Sequence, residues 1–189
     1  MAPSQDNLVW IDLEMSGLHL EECRILEIAT IVTDSELNVL GKGPELVINQ
    51  PDEVLDSMDE WNTKHHGKSG LTEAVRKSSV STAEAEQRTL RFIQTYCDRH
   101  SAPLCGNSIW QDRRFLARYM PDLEQYLHYR IIDVSSFKEM VHRWYGDAVE
   151  APSKAQSHRA LDDIRESIKE LKYYRSAFFR PPEGGGESE

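Results

Sequence analysis

The sequence predicts an α/β domain built on a mixed five-stranded sheet flanked by helices. Three observations lead there. The first third carries three apolar, β-rich runs, Leu8–Glu14, Ile25–Thr33 and Glu45–Asn49, joined by short polar links as in an antiparallel meander. The rest alternates helical periodicity with two further short apolar runs, Ala102–Asn107 and Tyr129–Val134. Finally, 39% hydrophobic and 29% charged residues in a chain of 189 are globular proportions, and one sizeable core fits that length.

No apolar run approaches the roughly eighteen residues that a membrane span needs. Residues 1–7 read as a short polar arm without the apolar stretch of a secretory signal. Residues 8–180 read as a single domain. Residues 181–189, opening on two prolines and holding three consecutive glycines, read as a disordered tail. Cys23, Cys97 and Cys105 are widely spaced, odd in number and lack metal-type spacing, which fits a reducing, cytoplasmic setting. The net charge of −10 argues against a broad basic track for long nucleic acid. A nucleic-acid ligand would have to be short and held by a few well-placed groups.

The first run, Leu8-Val9-Trp10-Ile11-Asp12-Leu13-Glu14, reads as a buried central strand. Asp12 and Glu14, two apart, project from the same face. Like charges side by side among apolar residues need neutralising, and a divalent cation such as Mg²⁺ or Mn²⁺ suits hard oxygen ligands. The same pattern also fits a strand end whose carboxylates emerge into water.

Met15–Leu18 makes a turn. The second strand is interrupted by Glu27, expected to face outward, and residues 34–43 are expected to turn the chain before the third strand. Pro51–Gly70 reads as irregular, with a short helix over Val54–Met58, followed by Trp61 and the pair His65-His66 in a loop. These three could line a pocket, or Trp61 could cap the core. A short helix over Ser69–Lys77 precedes a longer one over Ala83–Arg99, opened by Thr82 in a near capping box ending at Ala85. Asp112 falls in the first turn of a helix running to Met120, where the helix dipole favours a carboxylate; Pro121 ends it. A helix over Ser135–Tyr145, with Ser135 as cap, and a loop over Gly146–Ser157 lead to a last helix, His158–Phe178. Its apolar stripe through Leu161, Ile164 and Ile168 favours Asp163 over Asp162 for the inner face.

Asp12, Glu14, Asp112 and Asp163 thus recur at element ends, with His158 five residues before Asp163. Carboxylates that bridge, plus one base, are the set that two-metal phosphoryl chemistry uses: one ion activates water, the other steadies the leaving oxygen.

WIDLEMSGL, GNSIWQDRRFL and HRALDDI, in this order and spacing, resemble the three motifs of the DEDDh exonuclease superfamily. HYRIIDVS and DIRESIKEL bring the resemblance closer to the oligoribonuclease family, over about Leu8 to Phe178. The resemblance implies a ribonuclease H-like fold and 3′-to-5′ hydrolysis of very short RNA, down to dinucleotides, releasing 5′-mononucleotides. It implies two ions, Mg²⁺ or Mn²⁺, on Asp12, Glu14, Asp112 and Asp163, with His158 as general base; the H-x-x-x-x-D spacing selects Asp163. Leu18 matches a wedge between two bases, and Trp61 and His66 match residues flanking the substrate. Ser108, Arg130 and Ser135 match a cap on the 5′-phosphate, with Tyr129 reaching in from the second subunit of a homodimer. Two rivals stand beside it: a broader exonuclease of the same superfamily acting on longer single strands, and a binding protein that keeps the fold without the chemistry.

Overall fold

The computed structural model describes residues 4–146 and 159–179. The expected loop over Gly146–Ser157, the tail and His158 therefore lie, Gly146 apart, outside the described residues. The sheet is mixed and five-stranded: β1 (Leu8–Met15), β2 (Ile25–Thr33), β3 (Val39–Val47), β4 (Leu104–Gly106) and β5 (Ile131–Asp133), in the order β3-β2-β1-β4-β5. As expected, β1 is central and antiparallel to β2; on its other side it runs parallel to β4.

Both faces of β1 are covered, which is why its apolar residues run consecutively. Val9, Ile11 and Leu13 enter a core with Ile93, Phe115 and Leu116. Those partners come from α4 (Thr82–Gln94) and α5 (Trp110–Tyr119). Trp10 enters a second core on the opposite face, with Ile164, Ile168 and Tyr174 of α8 (Ala160–Phe178). By the period of two, Asp12 and Glu14 share the α8 face with Trp10. The sequence pattern and the packing agree on that point.

Several boundaries differ from expectation. Strand β3 begins at Val39, with Gly41 and Gly43 inside it rather than in a turn. A Cβ on Gly41 would collide with the Tyr96 ring, and one on Gly43 would stand 2.7 Å from Phe92. These glycines let aromatic rings approach the sheet; they do not turn the chain. The segment after Pro51 is helical, as α1 (Asp52–Asp56) and α2 (Glu60–Lys68), so His65 and His66 stand on a helix. Its cap is Asp59, whose side chain accepts from Asn62 N at 2.8 Å. After α3 (Leu71–Lys77), α4 is capped by Ser81, which accepts from Glu84 N at 3.2 Å; this places the capping frame one residue earlier than expected, and the helix stops at Gln94. Pro121 ends α5 and opens α6 (Pro121–Tyr126) at the position where proline is tolerated. Asp133, rather than Ser135, caps α7 (Val134–Tyr145) by accepting from Ser135 N at 2.9 Å. Among the described residues no helix is long and apolar enough to cross a membrane.

Candidate active site

Four carboxylates meet where β1, α5 and α8 converge. Asp12 and Glu14 arrive on one face of β1, and Asp163 from the first turns of α8. One carboxylate oxygen of each lies within 4.8 Å of the others. Asp112, buried in the first turn of α5, approaches from the strand's edge. Strand β4 is short and pairs only with Val9 and Trp10, so β1 is open to α5 beyond them. Leu13 N uses that opening to donate to Asp112 Oδ1 at 3.0 Å.

The electrostatics of this arrangement are unfavourable without a cation. Burial, then Asp112, Asp163, Glu14 and Glu27, push the Asp12 carboxyl well above its usual range. Burial, followed by Asp163, Glu27 and Asp112, raises Glu14 to about 8, with Arg159 opposing. Burial also raises Asp112 to about 7, although the backbone amides of Leu13 and of Asp112 itself favour its ionised form. Protons relieve this crowding in the bare protein. An all-oxygen, strongly anionic donor set fits a hard divalent cation in their place.

Glu27 is a correction. Expected to face outward, it is fully buried on β2 directly opposite Glu14. Its carboxylate accepts from Arg159 Nη2 at 2.6 Å and from Arg159 Nε at 3.1 Å, and from Ala160 N at 3.3 Å. Glu27 thus closes the N-terminus of α8 in place of a side-chain cap and ties it to the sheet. The inward direction of Glu27 and the role of Arg159 went unnoticed in the sequence. The signal was present: a Glu at an inward position of an apolar strand, and an Arg beside the last motif's histidine.

The other predicted residues fall into three places. Leu18 stands in the turn after β1 with 64% of its surface exposed. Trp61, also exposed, stacks on His65 with ring centroids 3.8 Å apart. His66 turns inward instead: only 2% exposed, its Nε2 is 2.9 Å from Met15 O and its Nδ1 4.0 Å from Glu14 Oε2. The predicted pair therefore splits, with His66 behind the carboxylates and His65 at the surface. Ser108 and Ser135 meet at the ends of β4 and β5, their hydroxyls 3.3 Å apart. Ser108 N donates to Ser135 Oγ at 3.0 Å and to Asp133 Oδ1 at 2.9 Å. Tyr129 and Arg130 are exposed, the guanidinium 5.3 Å from the tyrosine ring centroid. Asp133 is a further residue the sequence reading missed, although an aspartate just before a helix is a capping signal.

Comparison with known proteins places this geometry. Residues 9–171 match the RNase_T family model, described as an exonuclease. The oligoribonuclease of Halorhodospira halophila is 57% identical over 182 residues, 96% of this chain and 100% of that protein. That of Pseudomonas paraeruginosa is 58% identical over 174 residues, 92% and 97% of the two. Among solved structures, Escherichia coli exonuclease I in complex with a dT13 oligonucleotide superposes with a TM-score of 0.71 at 16% identity, covering 90% of this chain and 41% of that one. Exonuclease I of Methylocaldum szegediense superposes with a TM-score of 0.69 at 18% identity, over 91% and 41%. The chain thus spans about two fifths of those longer exonucleases, which share its ribonuclease H-like fold. With its whole described fold and nearly its full length accounted for, the chain belongs to the oligoribonuclease family of exonucleases.

Proposed function

We propose that this chain is a 3′-to-5′ exoribonuclease that degrades very short single-stranded RNA, down to dinucleotides, to 5′-mononucleotides. The observation that carries the chemistry is the cluster of Asp12, Glu14 and Asp163 oxygens within 4.8 Å, with Asp112 beside it. Two divalent cations, Mg²⁺ or Mn²⁺, held by these four carboxylates would activate water and stabilise the departing 3′-oxygen. His158 takes the proton of the attacking water, a role suited to an imidazole near neutrality. Leu18, exposed beside the site, wedges between the two bases. Trp61 offers its exposed face for stacking. His66, its ring anchored on the Met15 carbonyl beside Glu14, is the inner of the two residues flanking the substrate.

Ser108, Ser135 and Arg130 form the cap on the 5′-phosphate, where hydroxyls and a guanidinium suit phosphate oxygens. Tyr129 completes the cap from the second subunit of a homodimer. Exposed apolar side chains support that dimer: Tyr129 beside the edge strand β5, Ile131 on it, and Met140 and Trp144 on α7. A capped, short ligand also suits a chain of net charge −10, which has no need of a basic track. The free cysteines, two of them buried, fit a cytoplasmic enzyme.

The test is hydrolysis of 5′-phosphorylated RNA from two to about twenty nucleotides, the site-size scale of single-strand binders, with Mg²⁺ and with chelator. The expected result is a steep preference for the dinucleotide, abolished by chelator. Similar rates at every length would remove the cap and leave a broader exonuclease. Hydrolysis that survives the chelator would overturn the metal chemistry.

A further inference from the structure

The Ser108–Ser135 pair and the helix that carries Asp163 are joined by one side chain, Asn107. It follows Gly106 at the end of β4 and uses both ends of its amide. Asn107 Oδ1 accepts from Ser135 Oγ at 3.1 Å. Asn107 Nδ2 donates to Ser167 Oγ at 2.8 Å and to Glu170 Oε2 at 3.2 Å, both on α8. Ser167 Oγ in turn donates to the carbonyl of Asp163 at 2.8 Å, one turn earlier. The Tyr174 hydroxyl donates to Glu170 Oε1 at 2.9 Å. Ser167, Glu170 and Tyr174 are all buried.

The chemistry forces the direction of each bond. Ser167 has committed its proton to the Asp163 carbonyl, so it faces Asn107 with a lone pair. Glu170 also presents an acceptor there. Both partners demand the NH₂ end of Asn107, which leaves its carbonyl facing Ser135. Ser135 donates to that carbonyl and accepts from Ser108 N. Ser108 needs such restraint, because its φ of +50° is left-handed backbone that a non-glycine residue adopts only when held there. The result is an uninterrupted series: Ser108, Ser135, Asn107, Ser167, Asp163. The series runs from exposed Ser108 to a buried end on α8, where breaking one member leaves others unsatisfied.

We propose that Asn107, with Ser167 and Glu170, is the positioning device that fixes the distance between the 5′-phosphate cap and the carboxylate cluster, and so sets the substrate length the enzyme prefers. This rests on the capped short-RNA reading above. A residue that merely stabilised the fold would affect substrates of every length alike. A residue that fixes the span between the two ends acts on the ratio. With the tether intact, a dinucleotide alone fills both ends at once; with it cut, the cap shifts relative to Asp163 and that advantage fades.

Two variants cut the tether, the second by setting a carboxylate against that of Glu170. Ser167→Ala removes the acceptor for Asn107 and the donor to Asp163. Asn107→Asp keeps the shape and the acceptor for Ser135 but removes the donor to α8. Tyr174→Phe removes a hydrogen bond to the same Glu170 without touching the tether. The measurement is kcat/KM for a 5′-phosphorylated dinucleotide against a 5′-phosphorylated heptanucleotide, with melting curves on each protein. For the first two variants we expect the di-to-hepta ratio to fall by about tenfold, the equivalent of one charge-assisted hydrogen bond. Tyr174→Phe keeps the wild-type ratio. The inference is overturned if Ser167→Ala folds and retains that ratio, or if Tyr174→Phe lowers it as much. A wild type with no length preference overturns the cap itself, a separate result visible before any variant is made.

Discussion

The two ends of the site are built on opposite principles. At the β1–α8 end, Asp12, Glu14 and Asp163 crowd their oxygens together, with buried Asp112 and Glu27 close by, and burial pushes protons onto Asp12, Glu14 and Asp112. At the β4–β5 end, Ser108, Ser135, Asn107 and Asp133 satisfy one another through hydrogen bonds between neutral groups and one capping carboxylate. The first end is incomplete without an external positive charge. The second makes its own hydrogen bonds without one. The contrast shows that preorganisation takes two forms here: repulsion held in place by the surrounding fold, and attraction that holds itself.

The largest expected effect comes from breaking the first end. Asp12→Ala should lower turnover by at least about 10³-fold, on the scale of losing a principal electrostatic contributor to catalysis. Calorimetric titration with Mn²⁺ should show divalent binding lost as well. A variant that turns over normally would remove Asp12 from the site.

Much of this end was legible in the sequence, for a local reason. Asp12 and Glu14 declare a shared face through the period of two, and β1 indeed aims them at α8. Asp112 and Asp163 could be assigned to helix starts, though the apolar stripe only favoured Asp163 over Asp162 and motif spacing settled the choice. What was illegible depended on distant partners. The direction of Glu27 is decided by Arg159, 132 residues away. The strand character of Gly41 and Gly43 is decided by the rings of Tyr96 and Phe92. His65 and His66 were assigned to a loop because Asp59 was not recognised as a cap. Asn107 stands at the end of the run read as the fourth strand, and nothing local announces that its amide spans two elements.

A second, smaller effect probes how the crowding is tolerated. Arg159 neutralises Glu27, which has no exposed surface, while a third of the Arg159 side chain remains exposed. Arg159→Ala leaves a buried carboxylate uncompensated and should destabilise the protein by about 3 kcal/mol, the lower end for broken buried pairs because solvent can reach the vacated space. Replacing both partners, Glu27→Leu with Arg159→Leu, should recover most of that loss. Denaturant unfolding of the two proteins checks it. Equal destabilisation in single and double variants would mean that the pair acts through the N-terminus of α8 rather than through charge.

The smallest effect separates the two ends by their response to pH. Glu14 and Asp112 are raised to about 8 and about 7, whereas an unfolded chain ionises its carboxyls near about 4. Between those limits the folded protein holds more protons than the unfolded one, so the unfolding free energy must fall as pH rises. The stability these groups contribute is fully present below the unfolded value and is lost as pH climbs through about 7 and then about 8. In chelator, the melting temperature should therefore drop between pH 5 and 9. Mg²⁺ or Mn²⁺ should act in the opposite sense, because the cation replaces protons and binds best where they are absent. Its stabilisation should be largest at pH 9 and slight at pH 5. Glu14→Gln should flatten the upper part of the chelated profile, whereas Ser135→Ala, at the end held by its own hydrogen bonds, should lower the whole curve and leave its slope unchanged. A chelated wild type whose melting temperature rises or stays level over that range would show that the carboxylates are already relieved from within, and the distinction between the two ends would collapse.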